Sequence, residues 1–121
     1  MPKLLIVEDN ADLRSLYQEE FTDDGYEVAA AENGQAALKL VESWQPDLIV
    51  MDISMPAMDG VQTMHEILHN HRVVPIILNT AFPQYRDDYS TWPANAYVLK
   101  SGDLTELKTK IKEQLALFNL A

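Results

Sequence analysis

Cysteine is absent from this chain. Without a thiol there is no disulfide framework and no thiolate zinc site, and a reducing compartment is the simpler setting. Long hydrophobic runs are missing as well. The stretch Leu4-Leu5-Ile6-Val7 is broken at once by Glu8 and Asp9, too short for a membrane span or the core of a signal peptide. A cytoplasmic location is therefore expected. Cations are scarce: Lys and Arg total 9 against 19 Asp and Glu, a formal net charge of −10. Such a surface has few cations to replace phosphate counterions, so direct binding to nucleic acid or to anionic lipid is not expected of this chain.

What is present describes one ordinary folding unit. The 121 residues are 47% hydrophobic and 23% charged, too apolar for a disordered chain and long enough for one core. No repeat, linker or low-complexity segment divides them, so residues 1–121 are read as a single domain. Short apolar runs at 4–7, 27–31, 48–51, 73–78 and 96–99 predict five strands. Between them, apolar residues recur at helical spacing: Leu13, Leu16, Tyr17, Phe21; Ala37, Leu40, Val41, Trp44; Val61, Met64, Leu68, His71; and Leu104, Leu107, Ile111, Leu115, Phe118. A further short helix is expected at 84–90, after Pro83. Asn10 and Asn33 are candidate N-caps, Asp103 with Glu106 suggests a capping box, and Asp23-Asp24-Gly25 closes the first helix.

Strands alternating with helices imply an α/β fold, a parallel sheet with helices on both faces. The expected order 2-1-3-4-5, flavodoxin-like, is the usual one for five-stranded doubly wound sheets rather than something these residues dictate. In that order Glu8 and Asp9 end the first strand, Asp52 ends the third, Thr80 follows the fourth and Lys100 ends the fifth, all on the carboxyl edge where ligands sit. Three carboxylates brought together repel one another unless a cation joins them. Oxygen ligands without cysteine favour Mg²⁺ over zinc or copper. A metal with open positions, a lysine ammonium and a threonine hydroxyl together suit phosphoryl transfer.

The ordered set Glu8-Asp9, Asp52-Ile53-Ser54-Met55-Pro56-Ala57-Met58-Asp59-Gly60, Thr80-Ala81 and Tyr97-Val98-Leu99-Lys100 is similar to the receiver family of two-component response regulators, over essentially the whole chain. The resemblance implies a signalling phosphoacceptor that supports its own phosphorylation and dephosphorylation. It makes Asp52 the residue phosphorylated, and Asp9, Asp52 and the Ser54 carbonyl the Mg²⁺ ligands, with Glu8 assisting. Lys100 would pair with the phosphoryl group, the Thr80 hydroxyl would turn towards it, and Tyr97 would follow inward as a switch, although a plain core role for Tyr97 stays open. The side chains at Ser54 and Phe82 would influence hydrolysis. The implied partners are a sensor histidine kinase or phosphotransfer protein, and a downstream protein or output domain met through the fourth helix, fifth strand and fifth helix, within 84–118. A homodimer formed on phosphorylation is also implied.

The chain departs from the family pattern in places. Ser101 stands where many members have proline after the lysine, so either a trans bond with an altered loop or a strained cis bond is expected there. Trp92-Pro93-Ala94-Asn95 replaces the usual glycine ahead of the fifth strand. Two other chemistries are weighed. His65-Glu66-Ile67-Leu68-His69 matches the zinc motif H-E-x-x-H, but its histidines fall on the flank of the Val61–Met64–Leu68 stripe and lack a third ligand. A flavin carrier shares the strand order, yet Glu8-Asp9-Asn10-Ala11-Asp12 would repel a flavin phosphate. A receiver scaffold used only for binding is the remaining alternative.

Overall fold

The computed structural model describes residues 1–52, 63, 65–67, 69, 74–80 and 95–118, at 80 the backbone alone. Strand β1 (Lys3–Val7) leads to helix α1 (Ala11–Asp23), β2 (Glu27–Ala31), helix α2 (Gly34–Trp44), β3 (Leu48–Met51), β4 (Ile76–Thr80), β5 (Ala96–Leu99) and a C-terminal helix (Thr105–Leu117). The described residues between β3 and β4 that are helical are Thr63, His65, Glu66, Ile67 and His69. All strands pair in parallel in the order β2-β1-β3-β4-β5, so the expected α/β sheet is the one found.

Burial follows from that order. β1 and β3 are central, and Leu4, Leu5, Ile6, Val7, Leu48, Ile49, Val50 and Met51 are all buried, as strands covered on both faces must be. Each such side chain contributes roughly 1.5–3 kcal/mol on leaving water. Alternation divides them between two cores. Leu5, Val7, Ile49, Met51, Ile76 and Leu78 pack with Ala37 and Val41 of α2. Leu4, Ile6, Leu48, Val50, Ile77 and Val98 pack with Tyr17 and Phe21 of α1 and with Leu107, Ile111 and Leu115 of the C-terminal helix.

The helix ends have identifiable causes. Asn10 and Asn33 accept the amides of Leu13 and Ala36 at 3.0 and 2.8 Å, and so act as the two expected N-caps. Gly25, at φ 98°, lets the chain turn after α1 in a conformation that resists a side chain. The expected capping box at Asp103 is corrected. Asp103 Oδ1 accepts both the amide and the hydroxyl of Thr105, at 2.9 and 2.6 Å, and this local turn leaves Leu104 as the N-cap residue.

The fourth strand is also corrected. It runs Ile76–Thr80 rather than 73–78, so Thr80 is its last residue and not the one after it. Pro75 has no amide to give the ladder, although its carbonyl accepts Ile49 N at 3.0 Å, and regular pairing starts beyond it. At the other end the strand continues through polar Asn79 because Nδ2 donates to the Tyr17 hydroxyl at 2.8 Å, both side chains being buried. Burial raises the Tyr17 phenol above its ordinary value, the Asn79 bond opposing it in part.

Tyr17→Phe removes that acceptor and should destabilise the fold by about 1–3 kcal/mol in urea titrations. The double variant Tyr17→Phe/Asn79→Leu, which leaves no polar atom there, should recover most of the loss.

Candidate functional site

Register places the chemistry. Val7 pairs with both Ala31 and Met51, and the ladder carries on for one more residue: Glu8 N donates to Ala31 O and Asp52 N to Val7 O, both at 3.0 Å. Glu8 and Asp52 therefore emerge side by side from the centre of the sheet, both buried. Lys100, the residue after β5, reaches across the end of β4 to both. Its Nζ lies 2.8 Å from Glu8 Oε1 and 3.0 Å from Asp52 Oδ2. The Asp52 contact is a hydrogen bond. Glu8 Oε1 is buried with that ammonium as its close partner and no other donor among the described residues.

The loop between β1 and α1 holds the other acid. Glu8 Oε2 accepts the Asn10 amide at 3.2 Å, while Asp9 points to solvent. Arg14, one turn into α1, donates from Nη1 to the carbonyls of Glu8 and Asp9 at 2.9 and 3.3 Å. Glu8, Asp9 and Asp52 each present a carboxylate oxygen, and these oxygens all lie within 4.8 Å of one another.

The electrostatics follow from burial. Burial pushes the Glu8 carboxyl above its ordinary value, and the Asp52 charge adds to this; Lys100 and the Asn10 amide pull back without cancelling it. For Lys100, burial works against the charge, but bonds and attraction from the two carboxylates outweigh it and raise its pKa. Three carboxylates around one ammonium remain short of positive charge. With no cysteine in the chain, two buried carboxylates sharing one ammonium and an exposed third acid, the set suits a hard divalent cation.

Other expected positions sit as follows. Thr80 ends β4 opposite Leu99, on the same sheet edge. Tyr97 is half-buried against the α2-side core. Ser54, Phe82, the helix expected at 84–90, and Trp92, Pro93 and Ala94 lie outside the described residues. Asn95 is within them: its side chain accepts Ile76 N and its amide donates to Ile76 O, fixing the start of β5. The peptide bonds of the described residues are all trans, including that between Lys100 and Ser101, and Ser101 Oγ accepts the Asp103 amide at 3.1 Å. The altered loop still delivers Lys100 to Asp52.

His65 and His69 are helical and exposed, with Ile67 and Thr63 buried between and before them. Val61, Met64 and Leu68, the stripe the histidines were expected to flank, lie outside the described residues; the buried helical residues described there are Thr63 and Ile67. Among the described residues, the one group of three or more potential metal ligands is Glu8, Asp9 and Asp52. Arg14 went unseen in the sequence. The signal available was an arginine one helical turn beyond an acidic pair, where it can fold back on the loop.

A doubly wound sheet with an acidic cluster and a lysine at its switch point is an α/β domain whose ligand site lies at the carboxyl edge of the sheet. The family model "Response regulator receiver domain" matches residues 4–112, and the chain belongs to that family. It is a signalling receiver domain, and Asp52 with the acidic cluster fits a phosphoacceptor site. The chain is 34% identical over 117 residues to the regulatory protein AtoC of Escherichia coli, covering 95% of this chain and 25% of that protein. It is 30% identical to the sporulation initiation phosphotransferase F of Bacillus subtilis, covering 95% and 94%. Among solved structures, the response regulator protein TrrA of Thermotoga maritima in complex with Mg²⁺-BeF superposes with TM-score 0.91 and 43% identity, covering 95% of this chain and 100% of that one. TrrA in complex with the histidine kinase ThkA gives TM-score 0.88 at 43% identity, covering 95% and 99%. This chain spans a quarter to about half the length of the first curated relatives it matches, 25% of AtoC and 47% of a probable transcriptional regulator from Porphyra purpurea. No helix among the described residues is long and apolar enough to cross a membrane.

Lys100→Met leaves two buried carboxylates without their ammonium. At neutral pH and without divalent metal this should cost on the order of 2 kcal/mol or more, the half-buried lysine keeping it below a fully buried pair. A carboxyl whose folded pKa is raised holds its proton more tightly in the native state, so Glu8 detracts from stability as pH rises above its ordinary 4.5. The Lys100→Met deficit should therefore shrink as pH falls towards that value, read from melting temperatures across pH.

Proposed function

We propose that Asp52 accepts a phosphoryl group from a histidine kinase or phosphotransfer protein in a Mg²⁺-dependent reaction, and that the resulting acyl phosphate changes the surface offered to a partner. The observation that carries this reading is Lys100 bridging buried Glu8 and Asp52 beside exposed Asp9. In the transfer an Asp52 oxygen bonds to phosphorus while the bond from phosphorus to the donor's imidazole nitrogen breaks, and the electron pair stays with the imidazole. Glu8, Asp9, Asp52 and the Ser54 carbonyl would hold the metal. Bound Mg²⁺ supplies charge neutralisation and orientation for the phosphoryl oxygens. The backbone ladder fixes Asp52 in place, and Lys100, already in contact with its Oδ2, pairs with the phosphoryl charge that Asp52 gains.

The switch in this reading runs along β4 and β5. Thr80 donates its hydroxyl to a phosphoryl oxygen, and Tyr97, two residues before Leu99 in the paired strand and partly buried against the core, moves further inward. The same constellation admits water to the acyl phosphate, so the domain supports its own dephosphorylation. The downstream protein or output domain is met on β5, the C-terminal helix and the segment 84–90, and phosphorylation can pair two copies through that face. AtoC is a longer regulatory protein and TrrA has been captured with a kinase, which supports both the incoming and the outgoing partner classes.

Incubation with acetyl phosphate should add one phosphoryl group to the wild type by intact mass, with Mg²⁺ and not with excess chelator. Asp52→Asn should add none. Equal labelling of Asp52→Asn, or labelling indifferent to the metal, contradicts the reading. If no form is labelled, even by phosphorylated kinases, a binding-only scaffold replaces it.

A further inference from the structure

The loop that carries Glu8 and Asp9 is short and acidic, and little in its sequence explains why it holds one shape. Glu8 is held on several sides: its amide pairs with Ala31, Oε1 meets Lys100 and Oε2 accepts from Asn10. Asp9 is different. It is exposed, and its one hydrogen bond among the described residues is the one its carbonyl accepts from Arg14. The same guanidinium nitrogen also holds the Glu8 carbonyl, at 2.9 Å. Arg14 in turn is fixed by the helix it stands on, whose first turn is closed by Arg14 N to Asn10 O at 2.9 Å and by the Asn10 cap on Leu13.

From this geometry we infer that Arg14 is a positioning residue for the divalent cation: by clamping the Glu8 and Asp9 carbonyls it aims the exposed Asp9 carboxylate at the cluster. The inference rests on the metal reading of the site given above. It also explains an otherwise awkward placement. A cation beside a cation-binding site should weaken binding by repulsion, which solvent and salt screen in part. Its positive end, however, is turned to backbone carbonyls and not to the carboxylates. Ordering the loop in advance removes a conformational cost that each binding event would otherwise bear. Partners of this kind behind metal ligands commonly affect affinity by 10–100-fold.

The two effects have opposite signs, which makes the test decisive. MgCl2 is titrated into isotope-labelled wild type, Arg14→Met and Arg14→Lys, with amide shifts followed well below the melting temperature, and the metal-free proteins are melted in parallel. Arg14→Met should bind Mg²⁺ about tenfold or more weakly, and Arg14→Lys, which keeps a cation and N–H donors at shorter reach, should fall between. If Arg14→Met binds Mg²⁺ as well as or better than wild type, the charge effect prevails and the inference is overturned. It is overturned equally if the variants melt lower with Mg²⁺ affinity unchanged, the signature of a purely structural arginine. Should Arg14→Met fail to fold, Arg14→Lys alone decides, by weaker or unchanged affinity. A wild type that does not bind Mg²⁺ at all removes the metal reading itself, and this inference with it.

Discussion

Two carboxylates buried side by side, with one ammonium between them, set the terms for the rest of this structure. The ladder bonds from Glu8 to Ala31 and from Asp52 to Val7 keep both side chains inside. Charges in that position are costly to desolvate and gain their stability only from a well-placed counter-ion. Lys100 supplies it from the far side of β4, with its own proton held more firmly by the two acids than water would hold it. The arrangement is under-neutralised: three acids share one lysine. A site in that condition gains from a divalent cation and responds strongly to added phosphoryl charge.

The sheet is what makes such a cluster tolerable. Parallel order β2-β1-β3-β4-β5 puts the most apolar strands in the middle, and their register ends at Val7 and Met51, so that the acids begin where the cores stop. The two cores grip the sheet from opposite faces. Between them the Tyr17–Asn79 bond ties α1 to β4 one residue before Thr80, and α1 also carries Arg14, which holds the acidic loop. One helix thus braces both the acidic loop and the strand that ends at Thr80.

Much of this was legible from the sequence because the signals were of the kind that local chemistry enforces. Five apolar runs, asparagine caps and acidic strand ends led to the fold, the cluster and the reach of Lys100 to Asp52. The errors have physical causes. The fourth strand was placed too early because Val73 and Val74 look like its start, whereas the missing amide of Pro75 delays the ladder and Asn79 is made tolerable only by a partner 62 residues away. Asp103 looked like half of a capping box, but its side chain found Thr105 first. Arg14 drew no reading at all, since nothing in spacing alone tells a free guanidinium from one folded onto carbonyls.

The central claim is that the phosphoryl group resides on Asp52 and nowhere else among the clustered acids. An acyl phosphate is reduced by borohydride to an alcohol, which converts the modified aspartate to homoserine and leaves an unmodified one intact. Protein treated with acetyl phosphate and Mg²⁺, reduced and mapped by peptide mass spectrometry, should show homoserine at position 52 alone. Homoserine at position 9, or a phosphoryl group that resists reduction because it sits on a serine or threonine hydroxyl, would contradict the account.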